Sequence, residues 1–172
     1  MYEIVVACNK QMVIGKNNMI PWKVKEDLQM FQQLTTNHIV VMGRKTYESL
    51  PIKPLKDRYN IVLTSNPDKY TSKHDNLVFT NMENMSNIIY NQRKKWGEQV
   101  FIIGGSDIYC NFLNNCSKLH ITMVDKEIDG DTYFPCSLCE LNTKYGFKLI
   151  QSSNIVLSKT EPVLFQFRTY SR

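Results

Sequence analysis

The sequence has no apolar run near the ~18 residues that a membrane-crossing helix requires, which excludes a transmembrane span. Its start has no signal-peptide form. MYEIVVACNKQ carries no basic segment ahead of its short apolar stretch, so a cytoplasmic location is the expectation. It also lacks internal repeats and any linker that would mark a second domain. With 42% hydrophobic and 22% charged residues, the disordered and collagen-like classes drop out. One domain over residues 1–172 is expected, since a chain of this length buries roughly 70% of its unfolded surface without disulfide or metal staples. Cysteine is sparse: Cys8, Cys110, Cys116, Cys136 and Cys139 are odd in number and unevenly spaced, the pattern of reduced thiols. Cys136-Ser-Leu-Cys139 has the spacing of a zinc half-site or a redox pair. No further ligands follow it, and Pro135 puts it in a loop. His38, His74 and His120 have no ligand spacing either, and His120 alternates within a strand pattern. No metal site is expected.

The charge balance, 21 Lys+Arg against 16 Asp+Glu, suits an anionic ligand or nucleic acid. The cations are scattered, however. Their densest cluster, Arg93-Lys94-Lys95, falls at the end of a helical stretch, where positive charge complements the helix dipole. Nucleic-acid and membrane partners are therefore not expected, and no large apolar face is left over, so a monomer is.

Residues 3–8, 38–42, 60–65, 77–80 and 100–103 are continuous apolar, β-branched runs, the pattern of strands buried on both faces. Helical spacing occupies 25–35, with Leu28, Phe31 and Leu34 on one face, and 82–96, opened by the capping-box pattern Thr80-Asn-Met-Glu83 and ended by Gly97. Short helices follow Gly43 and Gly105. Residues 118–124 alternate, and two strand-like runs, 147–157 and 163–170, close the chain. Strands alternating with helices, then strands alone, predict an α/β fold. Its central sheet is mostly parallel, with helices on both faces and a C-terminal antiparallel hairpin.

Ligands of such sheets bind beyond the carboxyl ends of the strands. Gly43-Arg44-Lys45-Thr46 puts two cations and a hydroxyl at a helix start, where backbone N–H groups favour phosphate. Ile103-Gly104-Gly105-Ser106 offers a second close backbone approach, or a simple tight turn. The six-residue G-x-G-x-x-G pattern is missing, so this is not the standard dinucleotide fold. Asp27 stands on an otherwise apolar helix face. It is either a first-turn acid favoured by the dipole or a carboxylate in an apolar pocket that grips an amidine-like heterocycle.

Four blocks then resemble dihydrofolate reductase: Val13-Ile-Gly15-Lys-Asn-Asn18-Met-Ile20-Pro21-Trp22 with Asp27-Leu28 and Phe31; Val41 to Leu50; Ile103 to Tyr109; and Gly130-Asp-Thr-Tyr-Phe-Pro135. They stand in the family's order and separations. The resemblance implies NADPH-dependent reduction of 7,8-dihydrofolate to 5,6,7,8-tetrahydrofolate, supplying one-carbon carriers. It implies catalytic roles for Asp27, Trp22 and Thr122: Asp27 on the pterin amino group and N3, Trp22 through a water, Thr122 bridging. It implies apolar walls from Val5, Val6, Leu28, Phe31, Leu50 and Leu55, and Arg58 on the glutamate α-carboxylate. Ala7, Ile14, Ile103 and Tyr109 would line the nicotinamide pocket. The rest of the cofactor site would be Gly15, Asn18, Ile20, Gly43, Arg44, Lys45, Thr46, Thr64, Ser65 and Asn66, with Gly104, Gly105, Ser106, Asp107 and Ile108. The Gly104–Gly105 bond would be cis, and the loop 9–24 a lid. Ile20 replaces the usual Met or Leu, Ser106 a Gly or Ala, and Asn66 an Arg of some relatives, which leaves the holder of the 2′-phosphate open.

Overall fold

The β-branched runs do form the interior of a sheet, because only there can residues alternating to both faces all be apolar. A computed structural model describes residues 1–172. The strands and helices run β1 (Tyr2–Cys8), β2 (Val13–Gly15), α1 (Lys25–Thr35), β3 (Ile39–Gly43), α2 (Arg44–Ser49), β4 (Tyr59–Leu63), β5 (Leu77–Thr80), α3 (Met82–Trp96), β6 (Val100–Ile102), α4 (Ser106–Phe112), β7 (Cys116–Asp125), β8 (Thr132–Tyr133), α5 (Leu138–Thr143), β9 (Lys148–Ser152), β10 (Val156–Leu157) and β11 (Leu164–Ser171). The sheet order is β10-β11-β7-β1-β6-β3-β4-β5, with β9 also on β11. From β7 to β5 every neighbour is parallel, and β11 closes the array antiparallel to β7. No helix is long and apolar enough to cross a membrane.

Alternation sorts each strand onto two cores. Ile4, Val6, Ile39, Val41 and Ile61 face a large cluster that takes in Met85 and Ile89 of α3 and Tyr109 and Phe112 of α4. Val40, Met42, Val62 and Phe101 face the other side, against Leu34 of α1 and Tyr47 of α2. Helices therefore cover both faces. Each fully buried aliphatic chain contributes about 1.5–3 kcal/mol, which is why the central strands need no disulfide. All five cysteines are free, and burial pushes the Cys8 thiol up to about 12.

Several local expectations are corrected. The cap of α3 is Asn81, one residue beyond Thr80; its side-chain oxygen accepts from Asn84 N at 3.0 Å, while Thr80 remains in β5. The Cys136–Cys139 segment is not all loop. Ser137 and Glu140 form a reciprocal capping box that starts α5, leaving Cys136 buried and Cys139 exposed. The run 147–157 is broken into β9 and β10, which share β11 as partner. The loop 9–24 holds a strand, β2, paired with β8.

Candidate functional site

Because β1, β3, β4 and β6 are parallel, Cys8, Gly43, Leu63 and Ile102 all end at one edge of the sheet, and the segments that follow them converge there. Strand β6 was inserted between β1 and β3 after the chain had built β3 to β5. The order thus reverses beside β6, where open α/β sheets open a crevice.

Helix α1 brings Asp27 to one side of this crevice. Its inward stripe is Asp27, Met30, Phe31 and Leu34, at 3- and 4-residue spacing, and these four line a cavity of about 290 Å³ with Val5, His120 and Thr122. Thr122, on β7, donates to Asp27 Oδ1 at 2.6 Å. Burial raises the Asp27 pKa above its ordinary value, and the Thr122 bond opposes that shift. A carboxyl so placed takes up a proton more readily than a solvated one, the tuning expected of a group that handles protons. Trp22 is buried, and its Nε1 donates to no protein acceptor. An unpaired buried N–H costs about 1–3 kcal/mol, so it fits a site whose partner arrives with a ligand.

The stripe excludes Leu28. It lies to one flank of the Asp27–Phe31 line and is 55% exposed, so it does not share the buried face expected of it. Val6 is corrected as well. Val5 and Ala7 share the Thr122 face, whereas Val6 points into the opposite core with Ile4 and Cys8. Ala7 is in register with Thr122 and packs against the Trp22 cluster. Leu50 and Leu55 are half-buried in the α1-side cluster with Val5. Arg58 is 6% exposed. Its Nε donates to Thr35 Oγ1 at 2.8 Å and Nη1 to Lys56 O at 2.6 Å, and the guanidinium lies 5.7 Å from the Phe31 ring centroid. These bonds fix its plane and leave further donors for a carboxylate.

On the other side of the crevice, Gly43 N donates to Gly104 O at 2.7 Å, joining the two glycine turns. The Gly104–Gly105 bond is cis. A Cβ on Gly43 would lie 3.1 Å from Ile108 Cγ1, and one on Gly105 would lie 3.3 Å from Thr46 Oγ1, so both turns sit against their neighbours with no spare room. Tyr109 is buried, and its hydroxyl donates to Val5 O at 2.9 Å. Ser106 donates to Tyr133 O at 2.6 Å, and Ile103 is half-buried while Asp107 is exposed. Arg44 Nη1 is held by both oxygens of Glu48, at 2.8 and 2.7 Å. Arg44, Lys45, Glu48 and Ser49 line a cleft of about 510 Å³ with Asn17, Asn18 and Met19. Beyond β4, Thr64 Oγ1 accepts from Asn66 N at 3.3 Å and Asn66 Nδ2 donates to Ser65 Oγ at 3.1 Å. Two cations with hydroxyl and amide donors around one cleft fit a phosphate-bearing cofactor.

The loop 9–24 bridges the two sides. Buried Asn9 shapes it, accepting from Gln11 N at 3.0 Å and Val13 N at 2.9 Å and donating to Lys126 O at 3.0 Å. Asp131 pins its middle: Oδ2 accepts from Asn17 N at 2.7 Å and its N–H donates to Gly15 O at 3.1 Å. Ile14 is half-buried, Gly15 buried, and Asn18 and Ile20 exposed. Sequence reasoning did not find Met30, Glu48 or the buried Glu3, whose carboxyl accepts from His120 Nε2 at 2.8 Å. A charged residue inside an apolar strand run was the available signal for Glu3.

A half-buried acid beside one cavity and a cleft carrying Arg44 and Lys45, both at the carboxyl edge of a mostly parallel sheet, fit an α/β enzyme that takes a heterocycle and a phosphate-bearing cofactor. A model of the dihydrofolate reductase family matches residues 1–172. The dihydrofolate reductase of Buchnera aphidicola subsp. Acyrthosiphon pisum is 35% identical over 169 residues, covering 98% of each chain. That of Bacillus subtilis is 31% identical over 172 residues, covering 100% of this chain and 95% of its own. A solved structure, dihydrofolate reductase from Enterococcus faecalis complexed with NADP(H) and RAB-propyl, superimposes with a TM-score of 0.83 at 29% identity, covering 100% of this chain and 96% of that one. The chain belongs to the dihydrofolate reductase family.

Proposed function

We propose that the chain reduces 7,8-dihydrofolate to 5,6,7,8-tetrahydrofolate with NADPH, with hydride added at C6 and a proton at N5, and so replenishes one-carbon carriers. The reading takes the chain as one domain, a monomer, working in the cytoplasm. The observation that carries it is the half-buried Asp27 carboxyl, set beside a mainly apolar slot and bonded only through Oδ1 to Thr122.

A flat heterocycle in that slot presents an amino group and a ring N–H to the carboxylate, two donors for two oxygens. Thr122 Oγ1 has lone pairs left after donating to Asp27, so it accepts from the same amino group. The N–H of Trp22 supplies a donor, directly or through a water, on the opposite flank of the ring. Phe31, Leu50 and Leu55 sandwich the aromatic linker. Arg58, its plane fixed by Thr35 and Lys56, offers paired donors to the glutamate carboxylate.

NADPH, when bound, supplies the hydride. The residues that would hold it are Arg44, Lys45 and Thr46 with Ser65 and Asn66 at the phosphate and adenosine end, and Ala7, Ile14, Ile103 and Tyr109 near the reacting ring. The protein's own work is positional and electrostatic. It sets the rings in a dry crevice, closes the 9–24 loop over them, and keeps a single acid, Asp27, that raises the proton occupancy of N5 through the bound heterocycle. The direct test is the fall in NADPH absorbance on adding dihydrofolate, with NADH as control. Rapid loss with NADPH is expected, and no loss defeats the proposal.

A further inference from the structure

Helix α1 begins without a cap of its own. The residue at its cap position is Val24, which has no side-chain oxygen to offer. The acceptor comes instead from far along the chain: Lys25 N donates to Thr160 Oγ1 at 3.0 Å, and that hydroxyl donates onward to Lys23 O at 2.5 Å. One side chain thus satisfies the first N–H of the helix, one of the four its own backbone cannot pair, and ties down the carbonyl of the residue before the cap position, so it fixes the entry of the chain into the helix from outside.

The loop that carries Thr160 joins β10 to β11, and it holds residues 21–26 by further independent bonds. Glu161 Oε2 accepts from Lys23 N at 2.6 Å, and its Oε1 pairs with Lys126. Lys126 also donates to Pro21 O at 3.3 Å, the carbonyl next to Trp22. Glu26 accepts from Ser158 Oγ and from Lys159 N, both at 2.9 Å. Val163 seals the contact from the apolar side, packed with Trp22, Val24, Val124 and Phe165.

We propose that Thr160 is a positioning residue, a cap supplied from another segment that sets the start of α1 and hence the place of Asp27, with Glu161 and Lys126 fixing the Pro21-Trp22 corner beside it. Asp27 is the third residue of α1, so a shift of the first turn moves its carboxyl directly. The backbone of Val24 takes the Asp27 N–H at 3.1 Å, and Thr160 supplies the side-chain acceptor for the Lys25 N–H that Val24 lacks. Thr160 does not touch the crevice; it acts through Asp27. The inference rests on the proposed reaction, and the test separates the two.

Thr160→Val keeps the shape and removes both bonds. Hydrogen exchange at the Lys25 amide, which involves no catalysis, is expected to speed up in this variant and to return to the wild-type rate in Thr160→Ser. In NADPH-dependent reduction of dihydrofolate, Thr160→Val is expected to lower kcat by about 10- to 100-fold, since a misplacement of about 1 Å costs up to about 100-fold. The NADPH dissociation constant should be unchanged and Thr160→Ser should restore the rate. In an Asp27→Asn background, Thr160→Val should cost less than about twofold more, since coupled residues are non-additive. Wild-type turnover in folded Thr160→Val overturns the proposal, as does an undiminished loss in the Asp27→Asn background. If Thr160→Val does not fold, Thr160→Ala, which removes the same hydroxyl with less side chain to accommodate, carries the same expectations: slower turnover, intact NADPH binding and no further loss beside Asp27→Asn. A wild-type chain that turns nothing over defeats the proposed function instead, and the cap is then judged on exchange alone.

Discussion

Asp27→Asn is the substitution that isolates the acid from everything else at the site. The amide is isosteric with the carboxyl, and its oxygen still accepts the Thr122 hydroxyl that now sits 2.6 Å from Oδ1. Packing against Met30 and Phe31 is unchanged. The charge and the capacity to carry a proton are lost. Positioned proton transfer is worth about 10²- to 10⁴-fold, and kcat at neutral pH is expected to fall by that factor. A charge-assisted bond to the substrate contributes about 1.5–3 kcal/mol, so KM for dihydrofolate should rise about 10- to 100-fold. NADPH binding should not change. Steady-state NADPH absorbance and NADPH titration measure all of these.

The same substitution carries a stability signature whose sign is fixed by the pKa shift. Burial holds the Asp27 pKa above the ordinary 3.8. As pH rises past that value the unfolded chain gives up this proton first, so the native state loses stability until the folded carboxyl has ionised as well, and the cost is constant beyond that. Asparagine carries no such cost. The Asn variant should therefore melt higher than wild type at neutral pH, and the gap should close as pH falls below the ordinary aspartate value. Higher stability with lost turnover is the mark of a group kept for its chemistry. Full turnover at neutral pH, or a variant less stable than wild type across the whole range, refutes the reasoning.

Arg58→Gln should raise KM for dihydrofolate about tenfold or more while sparing kcat, because a charged bond to the glutamate is lost; a pterin without the glutamate tail should not sense the change. Arg44→Gln should weaken NADPH by a similar factor and NADH little, as read from the ratio of their KM values, if its guanidinium serves the extra phosphate. Gly130→Ala has no room: the new Cβ would lie 2.2 Å from Val13 Cγ1 and 2.9 Å from Gly15 O. Overpacking of this kind costs about 1–3 kcal/mol, and it should appear as a lower melting temperature with faster amide exchange at Asn17, whose bond to Asp131 lies next to the clash.

What the sequence made legible follows from the range of the forces involved. The central strands and α1 and α3 were readable because burial on two faces, or on one helical stripe, writes a period into a single stretch of chain; the α1 bounds 25–35 match residue for residue. The glycine turns were readable because a close backbone approach needs a residue type, not a partner. The short strands β2 and β8 were not, since each exists only by pairing with the other across more than a hundred residues, and neither has a period of its own. Helix α5 is legible in principle, from Ser137 and Glu140 at capping-box spacing, although Pro135 just before it is equally a loop signal. The face of Val6 was recoverable from strand alternation alone. By contrast, Pro21-Trp-Lys-Val24 shows that no capping side chain precedes the helix, but nothing near Thr160 announces that it supplies one. The pair becomes visible only when β11 folds back against β7 and brings residues 158–161 onto the start of α1. The chemistry of the site was thus written locally, in Asp27, Arg58 and the Gly43 turn, while the apparatus that aims the acid is distributed between segments and is a property of the fold.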